Sequence, residues 1–438
     1  MKLTIFHAAE GSCLLIQSSD LKHVLCNGGT AATMRYVVRQ HLAKLLSPDG
    51  ILDLVYISHS DKSRLEGVLQ LLEDEIEWRR YDQLKANGDY YVRRPQVPRP
   101  PAIAGIFHNA FADQINADSD QVEQTLNMFA DILRTSGNLE FESSLFTAHN
   151  TSTSLAPARR IAYLQGKKLL NIPVNDIPLP RRCKGLVCND SKRKKPLSFE
   201  LGSMTVTVLS PDSEDLDDVS EQWNQWLSSS QVKKEHSRLK NQVATRLNDF
   251  ANGDQSGTPF DLSGWKGGSA IEKMIPGPMA SLALMFEESG KRIIILGDVA
   301  PDALLKGLAK IGCDENNPLC VDVLKLPHPG SEKNVKAFTD RLFAHNYVLC
   351  GDGTAGQPAT SVIDEIYNSR LSADTKCGLE DNEYFTCWFS SAMAHTPAGS
   401  KKRKNMQALK KHVEEKVKQS NGRMKSEEVS EHYLTLLL

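Results

Sequence analysis

The run Ile51-Leu52-Asp53-Leu54-Val55-Tyr56-Ile57 constrains the fold more than any other stretch of the chain. It lacks the polar–apolar alternation of a half-solvated strand, so it predicts a strand covered on both faces. It ends abruptly in Ser58-His59-Ser60-Asp61, after which Leu65, Val68, Leu69, Leu72 and Ile76 recur at helical spacing. A doubly buried strand that hands a polar loop to an amphipathic helix is the repeating unit of an α/β fold.

The same alternation runs through the rest of the chain. Residues 3–6, 12–17 and 23–26 predict strands, the last closed by the turn Asn27-Gly28-Gly29. Residues 33–46 predict a helix with Tyr36, Val37, Leu42, Leu45 and Leu46 on one side, broken by Ser47-Pro48-Asp49-Gly50. A proline-rich loop at 93–101 and a helix at 118–135 come next, followed by paired strands at 197–201 and 204–209. Residues 212–275 are polar, with Trp223, Trp226 and Leu227 as helix anchors, and read as an insertion. Strands at 281–286, 292–296, 321–326 and 347–350 then alternate with helices at 301–311, 332–343 and 360–369. Residues 1–399 therefore read as one domain carrying the insertion. Residues 400–438 read as a basic amphipathic helical tail, with Met406, Leu409, Val413 and Val417 at helical spacing.

Composition narrows the function classes. With 40% hydrophobic and 24% charged residues the chain has a globular composition, and no apolar run reaches the ~20 residues of a membrane span. A formal charge of −2 excludes a global electrostatic case for nucleic acid, leaving only the local basic runs 192–195 and 401–404. The nine cysteines form no CxxC pair and are expected to be reduced and mostly buried, as in a cytoplasmic protein.

Five segments, in order, resemble the metallo-β-lactamase superfamily, and within it the DNA-uptake (competence-protein) branch. Leu25-Cys26-Asn27-Gly28-Gly29 resembles its first turn, and Ile57–Gly67 resembles its T-H-x-H-x-D-H-x-x-G metal loop. The stretch 292–298 resembles L-L-T-G-D, 322–331 resembles D-V-L-K-V-P-H-H-G-S, and Gly356-Gln357-Pro358 resembles G-H-P. The resemblance implies a four-layer αββα sandwich and a two-metal centre that generates hydroxide and clamps a phosphodiester or acyl oxygen.

The departures from that pattern fall on the metal ligands. His59 and Asp298 match, and Asp61 replaces a histidine with another competent ligand. Ser63 stands in place of the aspartate ligand and Arg64 in place of the second metal's histidine. Asn27 replaces an aspartate, Pro329 interrupts a histidine pair and leaves His328, and Gln357 replaces the late histidine. A guanidinium about 4 Å from a divalent ion would cost roughly 8 kcal/mol at an effective dielectric of ~20, and arginine does not deprotonate to become a ligand. Besides an intact two-metal site, which this repulsion disfavours, two arrangements stay open. One is a single zinc, manganese or iron ion on His59, Asp61, Asp298 and His328 or His149. The other is an ion bridge from Arg64 to Asp61 or Asp298.

The resemblance thus implies a protein whose binuclear site is degraded. It would act as a non-catalytic regulatory or scaffolding subunit in a prokaryotic multi-protein system such as anti-phage defence, beside a protease or NTPase. Residues 212–275 and the C-terminal helix would form the partner surface. The alternative is a single-metal phosphodiesterase or nuclease. No membrane partner is expected.

Overall fold

Within each buried strand, neighbouring side chains go to different cores, which explains the unbroken apolar runs. In β1 (Lys2–Phe6) Leu3 and Ile5 enter one core and Phe6 another, and in β3 (His23–Cys26) Val24 and Cys26 separate in the same way from Leu25. The chain is described by a computed structural model over residues 1–46, 50–115, 157–230, 280–327, 335–371 and 383–438, with scattered positions between 232 and 245.

Two sheets face each other across a shared apolar core, and helices cover both outer faces. The first sheet combines β1, β2 (Leu14–Gln17), β3, β5 (Leu54–Tyr56), β7 (Ile106–Phe107) and β16 (Tyr433–Leu437), in the order β16-β1-β2-β3-β5-β7. The second runs β15-β14-β13-β12-β11-β10-β9-β8. Its members are β8 (Ser198–Leu201), β9 (Met204–Ser210), β10 (Ala283–Glu288), β11 (Lys291–Leu296), β12 (Leu319–Lys325), β13 (Leu342–Leu349), β14 (Phe385–Phe389) and β15 (Met424–Glu428). A two-stranded ladder, β4 (Ile51–Leu52) with β6 (Ala102–Ile103), stands apart. The strands β3, β5 and β7 are mutually parallel, as are β11 through β15. The loops that leave their carboxyl ends are therefore presented along common edges.

The architecture is the expected α/β sandwich of two sheets with flanking helices, and several local expectations need correction. The strand expected over 51–57 is two strands, because Asp53 turns out to accept from Lys22 Nζ and from the His23 N–H, each at 2.9 Å. The helix expected over 33–46 contains a π-helical stretch, Met34–Val38, which adds residues to the turn and rotates the apolar face. Met34, Val38, Leu42 and Leu46 are buried, whereas Tyr36 is 68% exposed and Leu45 37%. β13 begins at Leu342, inside the expected helix over 332–343, because Leu342, Phe343 and Ala344 are buried in a strand paired with β12.

The tail is helical over Lys401–Gln419 only. Beyond it, β15 pairs with β14 and β16 pairs with β1, so residues 424–437 add one edge strand to each sheet. Met406, Leu409 and Val413 pack into the core outside the second sheet. In the 212–275 segment the described helix Ser213–Ser228 is likewise docked, with Trp223 and Trp226 buried and Trp223 edge-on to Phe111 at 5.0 Å.

The cysteines also depart from expectation. Cys183 and Cys188 form a disulfide, since the 3-10 turn Arg181–Cys183 folds the chain back to a Cα separation of 5.7 Å. Cys320 is disulfide-bonded as well, while Cys13, Cys26, Cys313, Cys350 and Cys387 are free and buried. The helix expected over 118–135 lies outside the described residues.

Candidate metal-loop site

The loop after β5 is held by polar groups from both sheets. The Asn27 side-chain oxygen accepts from the Ser58 N–H (2.9 Å) and hydroxyl (3.1 Å), while its amide donates to Ser12 Oγ at 3.0 Å. Opposite, the Leu282 N–H donates to the Ser58 carbonyl at 2.8 Å and the Tyr56 hydroxyl donates to the Leu282 carbonyl at 2.6 Å. These two bonds staple the sheets together beneath the loop, and Tyr56 is fully buried.

Asp61 then caps the helix Lys62–Ala86, accepting from the Arg64 N–H at 3.1 Å and from the Ser63 hydroxyl at 2.6 Å. The helix start is pressed onto the first turn. The Gly28 N–H donates to the Arg64 carbonyl (3.0 Å) and the Gly67 N–H to the Gly29 carbonyl (2.9 Å). A Cβ on Gly28 or Gly67 would run into the other's backbone, so this approach requires glycine at both positions.

Arg64 occupies the centre of the site. Its guanidinium donates to both oxygens of Asp298, Nη1 to Oδ2 at 3.0 Å and Nη2 to Oδ1 at 2.8 Å. Nη1 also bonds Asp61 Oδ2. The fork-on-carboxylate geometry suits guanidinium and no other side chain. Arg64 is 1% exposed, against 17% for Asp61 and 23% for Asp298. Burial works against its charge, yet Asp298 and Asp61 outweigh that effect and raise its pKa above the usual arginine value.

Two histidines flank the bridge. His59 Nδ1 lies 2.7 Å from Ser281 Oγ, which also accepts from the Asp298 N–H at 3.1 Å, so one hydroxyl joins the loop after β5 to the loop after β11. Burial lowers the His59 pKa, and Arg64 adds to the effect against the pull of Asp298. His108, at the end of β7, lies with Nε2 2.9 Å from Ser60 Oγ. Burial, with His59 nearby, pushes its pKa down to about 4. Below, Lys325 is fully buried and donates from Nζ to the Leu296 carbonyl at 3.1 Å, and burial lowers its pKa.

The structure therefore brings together His59, Asp61, Ser63, Arg64 and Asp298, residues up to 239 positions apart in the chain. His328 and His149 lie outside the described residues. Reading the sequence missed His108, Ser60, Ser281 and Lys325. The one available signal was a histidine at the end of the short apolar pair Ile106-Phe107, which periodicity does not distinguish from a loop residue.

The donor set decides what the site can hold. His59, Asp61 and Asp298 each offer a ligand atom within 4.8 Å of the others, a partial cluster able to coordinate a single divalent ion. A pair of ions does not fit, because Arg64 fills the ground between the two carboxylates and already engages both. Among the described residues no helix is long and apolar enough to cross a membrane. No family model matches the chain and no curated protein matches it.

Proposed function

We propose that this chain is a metallo-β-lactamase-like protein in which Arg64 has replaced the metal, and that it acts as a non-catalytic regulatory or scaffolding subunit. The observation that supports this most is the buried fork of Arg64 on Asp298 and Asp61. A permanent cation there neutralises the carboxylates that a metal would need, and it has neither the open coordination position nor the bound water that hydrolysis requires. Ser63 supports the same reading, since its hydroxyl is spent on Asp61 and has no basicity to offer an attacking water. The protein partner that such a subunit implies, a protease or NTPase of the same system, and nucleic acid along the basic runs 192–195 and 401–404 belong to this proposal.

A second reading rests on the cluster of His59, Asp61 and Asp298. If Arg64 swings aside, these three would hold one zinc or manganese ion that supplies Lewis-acid chemistry to a phosphodiester. Ser281 would orient His59 through Nδ1, leaving Nε2 for the metal. Hydrolysis of bis(p-nitrophenyl) phosphate with added zinc or manganese separates the two readings. The non-catalytic protein gives no turnover above metal alone and no difference from His59→Ala. Turnover that His59→Ala abolishes would establish the hydrolase.

A further inference from the structure

The disulfide Cys183–Cys188 closes a loop that touches the support of the metal loop on one side and the helix Ser213–Ser228 on the other. Towards the metal loop, the Val187 N–H donates to Asn109 Oδ1 and the Val187 carbonyl accepts from Asn109 Nδ2, each at 2.8 Å. The Gly185 carbonyl accepts from Asn175 Nδ2 at 3.2 Å. The same Asn175 amide clamps the backbone of His108, accepting from its N–H at 3.0 Å and donating to its carbonyl at 3.1 Å. His108 Nε2 then meets Ser60 Oγ, between His59 and Asp61. Asn109, Asn175, His108 and Ser60 are all buried. Towards the helix, Leu216 packs with Cys183, Leu186 and Cys188, and Lys184 Nζ pairs with Asp217 at 3.0 Å.

We propose that this disulfide is a redox-operated latch: oxidised, it seats His108 against Ser60 and fixes the first turns of the helix, and reduced by a dithiol it releases both. Two features favour a latch over a structural staple. The sulfurs are five residues apart in sequence, and a loop that short constrains the unfolded chain little, so the bond governs local arrangement more than global stability. The turn that it closes holds Lys184 at a φ of 50°, in the left-handed region that a residue with a Cβ disfavours, so the closed loop carries backbone strain that opening relieves. Lys184 and Gly185 are exposed and give a reductant its approach. The sulfurs themselves are buried against Leu186 and Leu216, where two separate thiols need more room than one bonded pair. In the exchange, a thiolate of the dithiol bonds one cysteine sulfur and expels the other as a thiolate, which takes up a proton. The second sulfur of the dithiol then displaces the first cysteine, so the protein gains two electrons and two protons and the dithiol leaves as a cyclic disulfide. The Asn109 side chain has Val187 as its only partner among the described residues, so a displaced loop leaves this buried amide unpaired beside His108. The latch stands whether or not Arg64 has replaced a metal.

The test is histidine-selective NMR of the full chain at fixed pH, first oxidised and then titrated with dithiothreitol. Maleimide labelling and peptide masses report which cysteines have opened, and His108→Gln assigns the resonance. Reduction of Cys183–Cys188 should move the His108 resonance by more than its linewidth and leave that of His41 in place, and oxidised dithiothreitol should reverse the change. Cys183→Ser/Cys188→Ser should show the reduced position with or without dithiothreitol, which separates this bond from the disulfide of Cys320. A Cys183–Cys188 bond that stays closed in excess dithiothreitol while the chain stays folded, a His108 resonance that ignores its reduction, or reduction that unfolds the whole chain would each overturn the inference.

Discussion

Arg64 and Arg39 are the most deeply buried arginines among the described residues, and their surroundings differ in a way that explains the site. Arg64 lies between two carboxylates from different elements and its pKa is raised despite burial. Arg39 is equally buried but its one ion pair is with Asp74, at 2.8 Å, which it shares with Arg35 at 3.9 Å, and Glu75 gives Arg39 only a longer-range pull. Burial lowers its pKa to about 10, and its Nε and Nη2 have no hydrogen-bond partner. A carboxylate pair that repels itself in the absence of a cation gives Arg64 a surplus of partners, whereas Arg39 has a deficit. The difference is what the proposed role of Arg64, as the cation between two carboxylates, requires, whereas Arg39 has no such pair.

Removing each arginine should expose that contrast. Arg64→Ala leaves Asp61 and Asp298 facing each other and should cost about 3–5 kcal/mol in urea denaturation. Added zinc should restore much of that loss by binding the vacated carboxylates with His59. Loss of less than about 1 kcal/mol would mean that the carboxylates do not depend on Arg64.

Acid should act next most strongly, through His108. Its folded pKa of about 4 lies below the usual 6.5, so between these values the unfolded chain binds a proton that the folded one refuses. Stability is then fully present above pH 6.5 and falls as pH drops towards 4, by about 2–3 kcal/mol between pH 7 and 4.5. His108→Gln, which does not titrate, should flatten this part of the profile. An unchanged profile would place the acid sensitivity elsewhere.

The helix start that presents Arg64 provides a smaller lever. Gly67→Ala drives a methyl into the Gly28 backbone and should cost about 2 kcal/mol by forcing the helix off the turn. An unshifted denaturation midpoint would show that the helix start can move away without loss. Arg39→Met should be milder still, at about 1 kcal/mol or less, because Asp74 keeps Gln70 at 2.9 Å and Arg35 nearby. A cost matching that of Arg64→Ala would erase the distinction between the two sites.

The sheets were legible in the sequence because strands buried on both faces are written as continuous apolar runs, as in 292–296 and 51–57. The π-helical stretch was not, since the apolar residues of 33–46 read as an ordinary helix, and Tyr36 points away from the side that the buried Met34 and Val38 occupy. Nor was β15, whose sequence Met-Lys-Ser-Glu-Glu has the polarity of an edge strand. Within the site, His59, Asp61, Arg64 and Asp298 could be named from motif order, but their convergence depends on the parallel alignment of strands in two sheets. His108 and Ser281 are single polar residues at strand ends, and only the folded chain identifies them as neighbours of His59 and Ser60.

The metal content of the chain purified without chelator, measured by plasma mass spectrometry beside Arg64→His/Ser63→Asp, tests the role of Arg64 most directly. With Arg64 as the resident cation, the natural chain carries fewer than about 0.1 zinc or manganese ions and the double variant gains metal. About one tightly held ion per natural chain, lost on His59→Ala, would contradict it.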